Sequence, residues 1–259
     1  MDQYDVVIVG GGPGGLSAAL VLGRARRNVL LLDGGEPRNA ASHASHSLFT
    51  RDGEDPAELR RIGREQLGSY TTVRVEDREV IGAEGQDGDF RLRFVDGGEV
   101  AARKVILATG VRDILPEIDG FRRLWGKSVI HCPFCDGWEV RDQPWAVLTA
   151  PSEALRYAAM LSTWTRDLVV LTNGDNEIGA ETRRGLADLG VSLRTESISR
   201  LEAVGTRLRR VIFESGEAIE RAVLLHRPRQ QPRTDLATQL GCDLVPDGMI
   251  PGLIWVDEI

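Results

Sequence analysis

Two patterns alternate along the chain: short runs that are apolar at every position, and longer stretches whose apolar residues recur every three or four. Val6-Val7-Ile8-Val9 is the first of the short runs, the mark of a strand covered on both faces. Residues 16–26 follow with Leu16, Ala19, Leu20 and Leu22 on one side, which predicts a helix. A second apolar strand, Val29 to Leu32, closes in Asp33. Residues 34–53 are rich in small and polar side chains and predict a loop. A helix is expected over 56–68 and strands over 72–82 and 90–95, with a turn at Gln86-Asp87-Gly88. Val105 to Ala108 forms an apolar strand ending in Thr109-Gly110, and Pro116 marks a plausible crossing into a second domain. Strands over 145–148 and 167–172 begin another strand–helix–strand unit. The fold class is α/β.

The first strand runs into Gly10-Gly11-Gly12-Pro13-Gly14-Gly15, and a helix follows. GxGxxG alone is weak evidence. Here a strand precedes it, a helix follows it, and Asp33 ends the next strand 23 residues after Gly10, which together form the signature of a dinucleotide site. Gly10 permits the tight turn, Gly12 lets a diphosphate approach the backbone, and Gly15 lets helix and strand pack closely. The free N–H groups at the helix start favour the anion, and Asp33 can accept hydrogen bonds from ribose hydroxyls.

Composition narrows the partners. The 259 residues are 42% hydrophobic and 27% charged, as in ordinary globular domains, and no apolar run approaches the length of a membrane helix. A net charge of −7 argues against a nucleic-acid partner, which needs a concentrated basic surface. Three cysteines cannot all pair within one chain, and the start of the sequence reads straight into a strand with no leader pattern. A cytoplasmic setting is expected.

Two of those cysteines stand in His131-Cys132-Pro133-Phe134-Cys135-Asp136-Gly137. A zinc site needs four ligands; Cys242 and His226 are the remaining candidates, and neither belongs to a second CxxC. Two inert core cysteines fit poorly with Pro133, Asp136 and Gly137, which make a polar turn. A redox-active dithiol accounts for more of the residues: a CxxC entering a helix brings two sulfurs within bonding reach, and a helix N-terminus and the His131 neighbourhood can favour the thiolate. His43 and His46 in the 34–53 loop read as ordinary loop histidines, without acidic residues placed to complete a ligand set, and no metal is expected.

VVIVGGGPGGLSAAL with its distal Asp33, ILATG at 106–110 and CPFCDG at 132–137, in that order, resemble the low-molecular-weight thioredoxin reductase family of FAD flavoproteins and its related dithiol oxidases. The resemblance runs from about residue 4 to the end. It implies two Rossmann-like doubly wound domains: an FAD domain over 1–115, a pyridine-nucleotide-like domain bearing the CxxC over 116–245, and a return to the FAD domain over 246–259. It implies that the glycine run, Gly10 to Gly15 with Pro13, holds the FAD diphosphate, and that Asp33 holds the adenosine ribose. Val80 would lie near the adenine, Thr109 and Gly110 would form a second FAD-associated turn, and Asn39 and His46 would lie on a segment passing the flavin. Cys135 would face the flavin and Cys132 would exchange with a thiol or disulfide substrate, a small dithiol or a thioredoxin-like protein. Asp136 takes the family's acid position, which is compatible with an alternative role in the first turn of a helix. A homodimer is also implied.

Two departures bear on function. Thr149-Ala150-Pro151-Ser152-Glu153-Ala154 stands where the second domain should carry its own glycine turn; Pro151 lacks a donor and Glu153 brings negative charge, which argues against NADPH binding. That favours dithiol oxidation with oxygen as acceptor, whereas Asp136, where the oxidases often carry histidine, favours the reductases. The other departure is the end of the sequence, which stops short of the family's last strand and helix. A fragment or a short form is expected, with weaker FAD retention, and a non-catalytic nucleotide-binding remnant is the alternative.

Overall fold

Parallel pairing of the apolar runs builds the first of two units in this computed structural model, which describes residues 3–246 and 252–254. That unit comprises Met1–Ala40, Asp55–Ile114 and Arg229–Ile259. Its elements are β1 (Gln3–Val9), α1 (Pro13–Arg24), β2 (Val29–Leu32), α2 (Pro56–Leu67), β3 (Val73–Glu76), β4 (Val80–Gln86), β5 (Asp89–Phe94), β6 (Glu99–Leu107) and β7 (Val111–Ile114). Six strands form one sheet in the order β3-β2-β1-β6-β5-β4. β1 lies between β2 and β6 in parallel, with Val7 opposite Leu30 and Val105.

The fully apolar runs follow from burial on both sheet faces. Val7, Val9, Leu30 and Leu32 pack with Val80, Leu92 and Phe94 on one side, while Val6, Ile8 and Leu31 pack with Leu16 and Ala19 on the other. Asp55 caps α2 by accepting from Ala57 N–H at 2.6 Å and Glu58 N–H at 3.4 Å, and Pro56 fills the first position, where no donor is needed. The expected single strand over 72–82 is two strands. β3 pairs with β2 at one edge of the sheet and β4 with β5 at the other, so the chain must break at 77–79 to reach both edges.

The second unit comprises Ala41–Glu54 and Leu115–Pro228. It runs through α3 (Phe121–Leu124), β8 (Val129–Ile130), α4 (Pro133–Asp136), β9 (Trp145–Leu148), α5 (Ala154–Leu161), β10 (Leu168–Leu171), α6 (Ala180–Asp188), β11 (Ser192–Arg194), β12 (Ile198–Val204), β13 (Arg207–Phe213), β14 (Ala218–Glu220) and β15 (Val223–His226). A parallel sheet of order β11-β10-β9-β15-β8 carries the unit, and β12-β13-β14 form a small antiparallel sheet. Trp145 is fully buried, and its indole N–H reaches the Val140 carbonyl at 2.9 Å, as a buried Trp requires.

The chain re-enters the first unit at Arg229, earlier than the 246 expected. β16 (Arg229–Pro232) pairs antiparallel with β7, and Ala83 N–H donates to Gln239 Oε1 at 2.8 Å from α7 (Leu236–Gln239). Long-range pairing of this kind has no local sequence signature. Of the expected return segment, 247–251 and 255–259 lie outside the described residues. Among the described residues no helix is long and apolar enough to cross a membrane.

A buried hydroxyl ties the two sheets of the second unit together. Ser128 Oγ donates to the Thr206 carbonyl at 2.8 Å and accepts from Leu208 N–H at 3.0 Å. Ser128→Ala leaves both backbone groups without that partner, and a loss of about 1–3 kcal/mol in urea-unfolding stability is expected; an unchanged unfolding midpoint would contradict the tie.

Candidate functional site

In the first unit, the turn from β1 into α1 leaves a concave backbone surface. Gly10 has φ +115°, and a Cβ there would run into the Ala108 carbonyl beyond the end of β6. Gly15 lies so close to the Gly10 carbonyl that any side chain would clash. These two positions hold the helix start tight against the strand ends. Gly12 and Gly14, by contrast, have no atom within 4 Å of a built Cβ, so one face of the turn is open. Gly12 caps α1 without a side chain, and Pro13 follows as the first helical residue. First-turn N–H groups on an open glycine surface suit an anionic diphosphate, so the residues fit the dinucleotide expected here.

Asp33, just past β2, adjoins this turn. Its carboxylate accepts from Gly35 N–H at 3.0 Å and from Arg64 Nη2 at 2.5 Å. Burial pulls its pKa upward, but the bonds from Gly35 N–H, Arg64 and Gly11 N–H outweigh burial and hold it below the ordinary carboxylate value. Acceptor capacity remains for ribose hydroxyls. Arg64, on α2, also lies 2.7 Å from Asp77; no spacing rule in the sequence points to it.

Of the other expected residues in this unit, Thr109 lies against the glycine turn, its N 3.1 Å from a Cβ built at Gly10. Asn39 Oδ1 accepts from Arg60 at 3.3 Å. Gly110 has φ +69°, and its carbonyl accepts from Arg233 N–H at 3.2 Å, placing the Thr109-Gly110 turn beside β16. Val80 is 5% exposed and packs in the core, so only its main chain is available to a ligand. Arg38, unmarked in the sequence, forms a two-bonded pair with Asp113 at 2.9 Å, and Gln230 also donates to that carboxylate at 2.8 Å.

The second unit holds the cysteines. Cys132 is extended (φ −139°, ψ 116°) and caps α4, a single turn over Pro133–Asp136. The Cys132 carbonyl accepts from the N–H groups of both Cys135 and Asp136 at 3.2 Å. Both sulfurs are half-buried and unbonded to each other. One turn supplies local N–H groups but little of the dipole expected from a longer helix. Asp136 is half-buried; burial, then the neighbouring Glu139, raise its pKa, against a smaller opposing pull from His46.

His46 lies in this second unit, whereas Asn39 lies in the first. Its Nδ1 is 3.6 Å from Asp52 and its Nε2 3.5 Å from Glu139. Asp52 on the same loop and Glu139 from a distant part of the chain therefore flank it. Among the described residues no three His, Cys, Asp or Glu side chains are grouped to hold a metal ion. Cys242 belongs to the first unit, and His226, in the second, bonds the Leu148 carbonyl through Nδ1 at 2.9 Å, with burial lowering its pKa.

At the C-terminal end of β9 the chain enters a short 3-10 turn, Pro151–Glu153, then α5. Glu153 pairs with Arg156 Nε at 2.8 Å. A proline without a donor and a carboxylate occupy the place where phosphates would seek N–H groups, so these residues do not fit a pyridine-nucleotide diphosphate.

The model of the pyridine nucleotide-disulphide oxidoreductase family matches residues 4–256. The chain belongs to this family, in its thioredoxin reductase-like, FAD-dependent group of oxidoreductases. It is 32% identical over 92% of its length to a protein of Arthroderma benhamiae named "Probable thioredoxin reductase", and 32% identical over 95% to the thioredoxin reductase tcpT of Claviceps purpurea. It spans 66% of the first and 80% of the second. The crystal structure of an oxidoreductase from Agrobacterium tumefaciens is 36% identical and superposes with a TM-score of 0.92, over 99% of this chain and 85% of that one.

Because Asp33 is depressed in the folded state, the stability it contributes is present above its unfolded pKa of about 4 and is lost as pH falls through the folded value. Asp33→Asn should therefore lower urea-unfolding stability at pH 7, and the difference should shrink as pH falls below the ordinary carboxylate range; a pH-independent difference would contradict this.

Proposed function

We propose that this chain is a thiol–disulfide oxidoreductase that oxidises a small dithiol through Cys132 and Cys135, with FAD as the internal electron acceptor and oxygen as the final one. The observation that carries the direction is a contrast between two turns. The Gly10–Gly15 turn is open to a diphosphate, while Pro151 and Glu153 occupy the corresponding turn of the second unit. NADPH-dependent disulfide reduction is the second reading, favoured by Asp136 in the acid position and by the relatives' names.

The chain's own residues account for the exchange. A substrate thiolate attacks Cys132 Sγ, the Cys132–Cys135 bond breaks, and Asp136 donates a proton to the departing Cys135 sulfur. The second substrate thiol, losing its proton to the Asp136 carboxylate, attacks the mixed disulfide; the substrate leaves as a disulfide and Cys132 as a thiolate. One disulfide is reduced and one dithiol oxidised, a two-electron exchange. Gly10 to Gly15 and Asp33 would hold FAD, which supplies a two-electron acceptor for the reduced pair. The carboxyl of Asp136, biased towards its protonated form, suits a group that passes a proton back and forth.

The test is anaerobic mixing of the FAD-loaded chain with dithiothreitol and, separately, with NADPH. Rapid flavin bleaching by the dithiol alone is expected, and its loss by at least about a hundredfold in Cys135→Ser. Rapid bleaching by NADPH would reject the oxidase direction, and normal turnover of Cys135→Ser would reject the cysteine assignment.

A further inference from the structure

The loop 41–54 belongs to the unit that carries the cysteines, and its fold explains how. Ser45 N–H donates to the Glu54 carbonyl at 2.7 Å and Gly53 N–H to the Ser45 carbonyl at 2.9 Å, closing the loop on itself. Ser47, at φ +63°, donates its N–H to Asp52 Oδ1 at 2.7 Å and its hydroxyl to the Phe134 carbonyl at 3.2 Å. Phe134 stands between the two cysteines, so the loop is bonded directly to the exchange turn. His46, the residue before Ser47, is thereby set with one ring nitrogen facing Asp52 and the other facing Glu139, three residues beyond Asp136.

We propose that His46 is a positioning residue of the exchange centre: seated between Asp52 and Glu139, it supplies the cationic counterpart of Asp136 and so sets the pH range over which Asp136 gives its proton to the departing cysteine sulfur. The proposal rests on the reading of Cys132, Cys135 and Asp136 given above. When Asp136 gives up its proton it becomes a carboxylate in a half-buried place beside Glu139, where like charges repel. Positive charge on the His46 ring, when it is protonated, offsets that repulsion. The direction of each influence on Asp136 agrees: burial and Glu139 hold the proton on, and His46 helps it leave. On the same loop Arg51 and Glu54 pair with each other at 3.7 Å, and His131 precedes Cys132 on the approach to α4.

The exchange step has a readout that a purely structural role would not move. With the disulfide form of the FAD-loaded chain and dithiothreitol under anaerobic conditions, the second-order rate of flavin bleaching is divided by the concentration of dithiothreitol thiolate across pH 5 to 9. Alkylation with iodoacetamide at timed intervals, read by mass, gives the rate of dithiol formation independently of flavin. The normalised rate should fall as pH rises through the Asp136 limb, because the proton donor is lost. His46→Gln should move that limb upward by about half a pH unit or more, since a nearby positive charge has been removed. His46→Arg should restore the lower limb, and the limb should vanish in Asp136→Asn. A limb within about 0.1 unit of its original position in His46→Gln overturns the proposal, because no charge coupling then exists. Its disappearance in that variant overturns it too, making His46 the donor itself. Cys132→Ser separates the two levels: if its flavin still bleaches with dithiothreitol at the original rate, the exchange reading fails, whatever His46 does.

Discussion

One backbone acceptor organises the chemistry of the second unit. The Cys132 carbonyl takes the N–H groups of both Cys135 and Asp136 at 3.2 Å, and this shared bond makes residues 132–136 a single helical turn. Without it, two residues of extended chain would carry the sulfurs to opposite sides. Pro133, whose ring presets φ, makes the turn less costly to form. The same bond places the only ionisable side chain of the turn other than the cysteines, Asp136, next to Cys135. It also leaves the turn's later carbonyls without helical partners, and Ser47 uses one of them, at Phe134, to attach the loop that carries His46.

The two parallel sheets set a second constraint. In each, a central strand leads at its C-terminal end into a turn and a helix: β1 into α1, and β9 into α5. The topology alone presents helix-start N–H groups at both places. What separates them is side-chain chemistry. Gly10 and Gly15 allow the first helix to approach the strand ends, and Gly12 and Gly14 leave the outward face open. In the second, Pro151 removes a donor and the Glu153–Arg156 pair fills the helix start with its own counter-ions. The two turns share a topology and differ in what their side chains leave open.

The sequence was most legible where the governing interactions are local. The Gly10–Gly15 run, the apolar strands on either side of it and the Cys132–Cys135 turn are short-range patterns, and each determines its own backbone. Legibility fell where the deciding partner is far along the chain. The break at 77–79 follows from β3 and β4 lying at opposite edges of one sheet, and the return at Arg229 follows from pairing with β7. Arg64 is found only because α2 brings it to Asp33, and the pairing of His46 with Glu139 only because the fold brings that distant residue against it. Loop 41–54 carried no pattern to assign it to the cysteine-bearing unit, since Ser47 reaches Phe134 across 87 positions.

Two aspartates show how environment divides roles between identical side chains. Asp33 accepts from Gly35, Arg64 and Gly11, and these bonds overcome burial to keep it ionised; an anion with spare acceptor capacity is what ribose hydroxyls require. Asp136 is pushed the other way by burial and Glu139, and a carboxyl biased towards its acid form is suited to give a proton. The stability consequences have opposite signs. The contribution of Asp33 is present above its unfolded pKa, whereas the raised pKa of Asp136 destabilises the fold above its folded value and has no effect below the unfolded one. A side chain that weakens the fold at neutral pH persists more readily where its strain serves a reaction. The loop carrying His46 tempers that cost at the place where it arises: His46 favours the Asp136 carboxylate that burial and Glu139 disfavour.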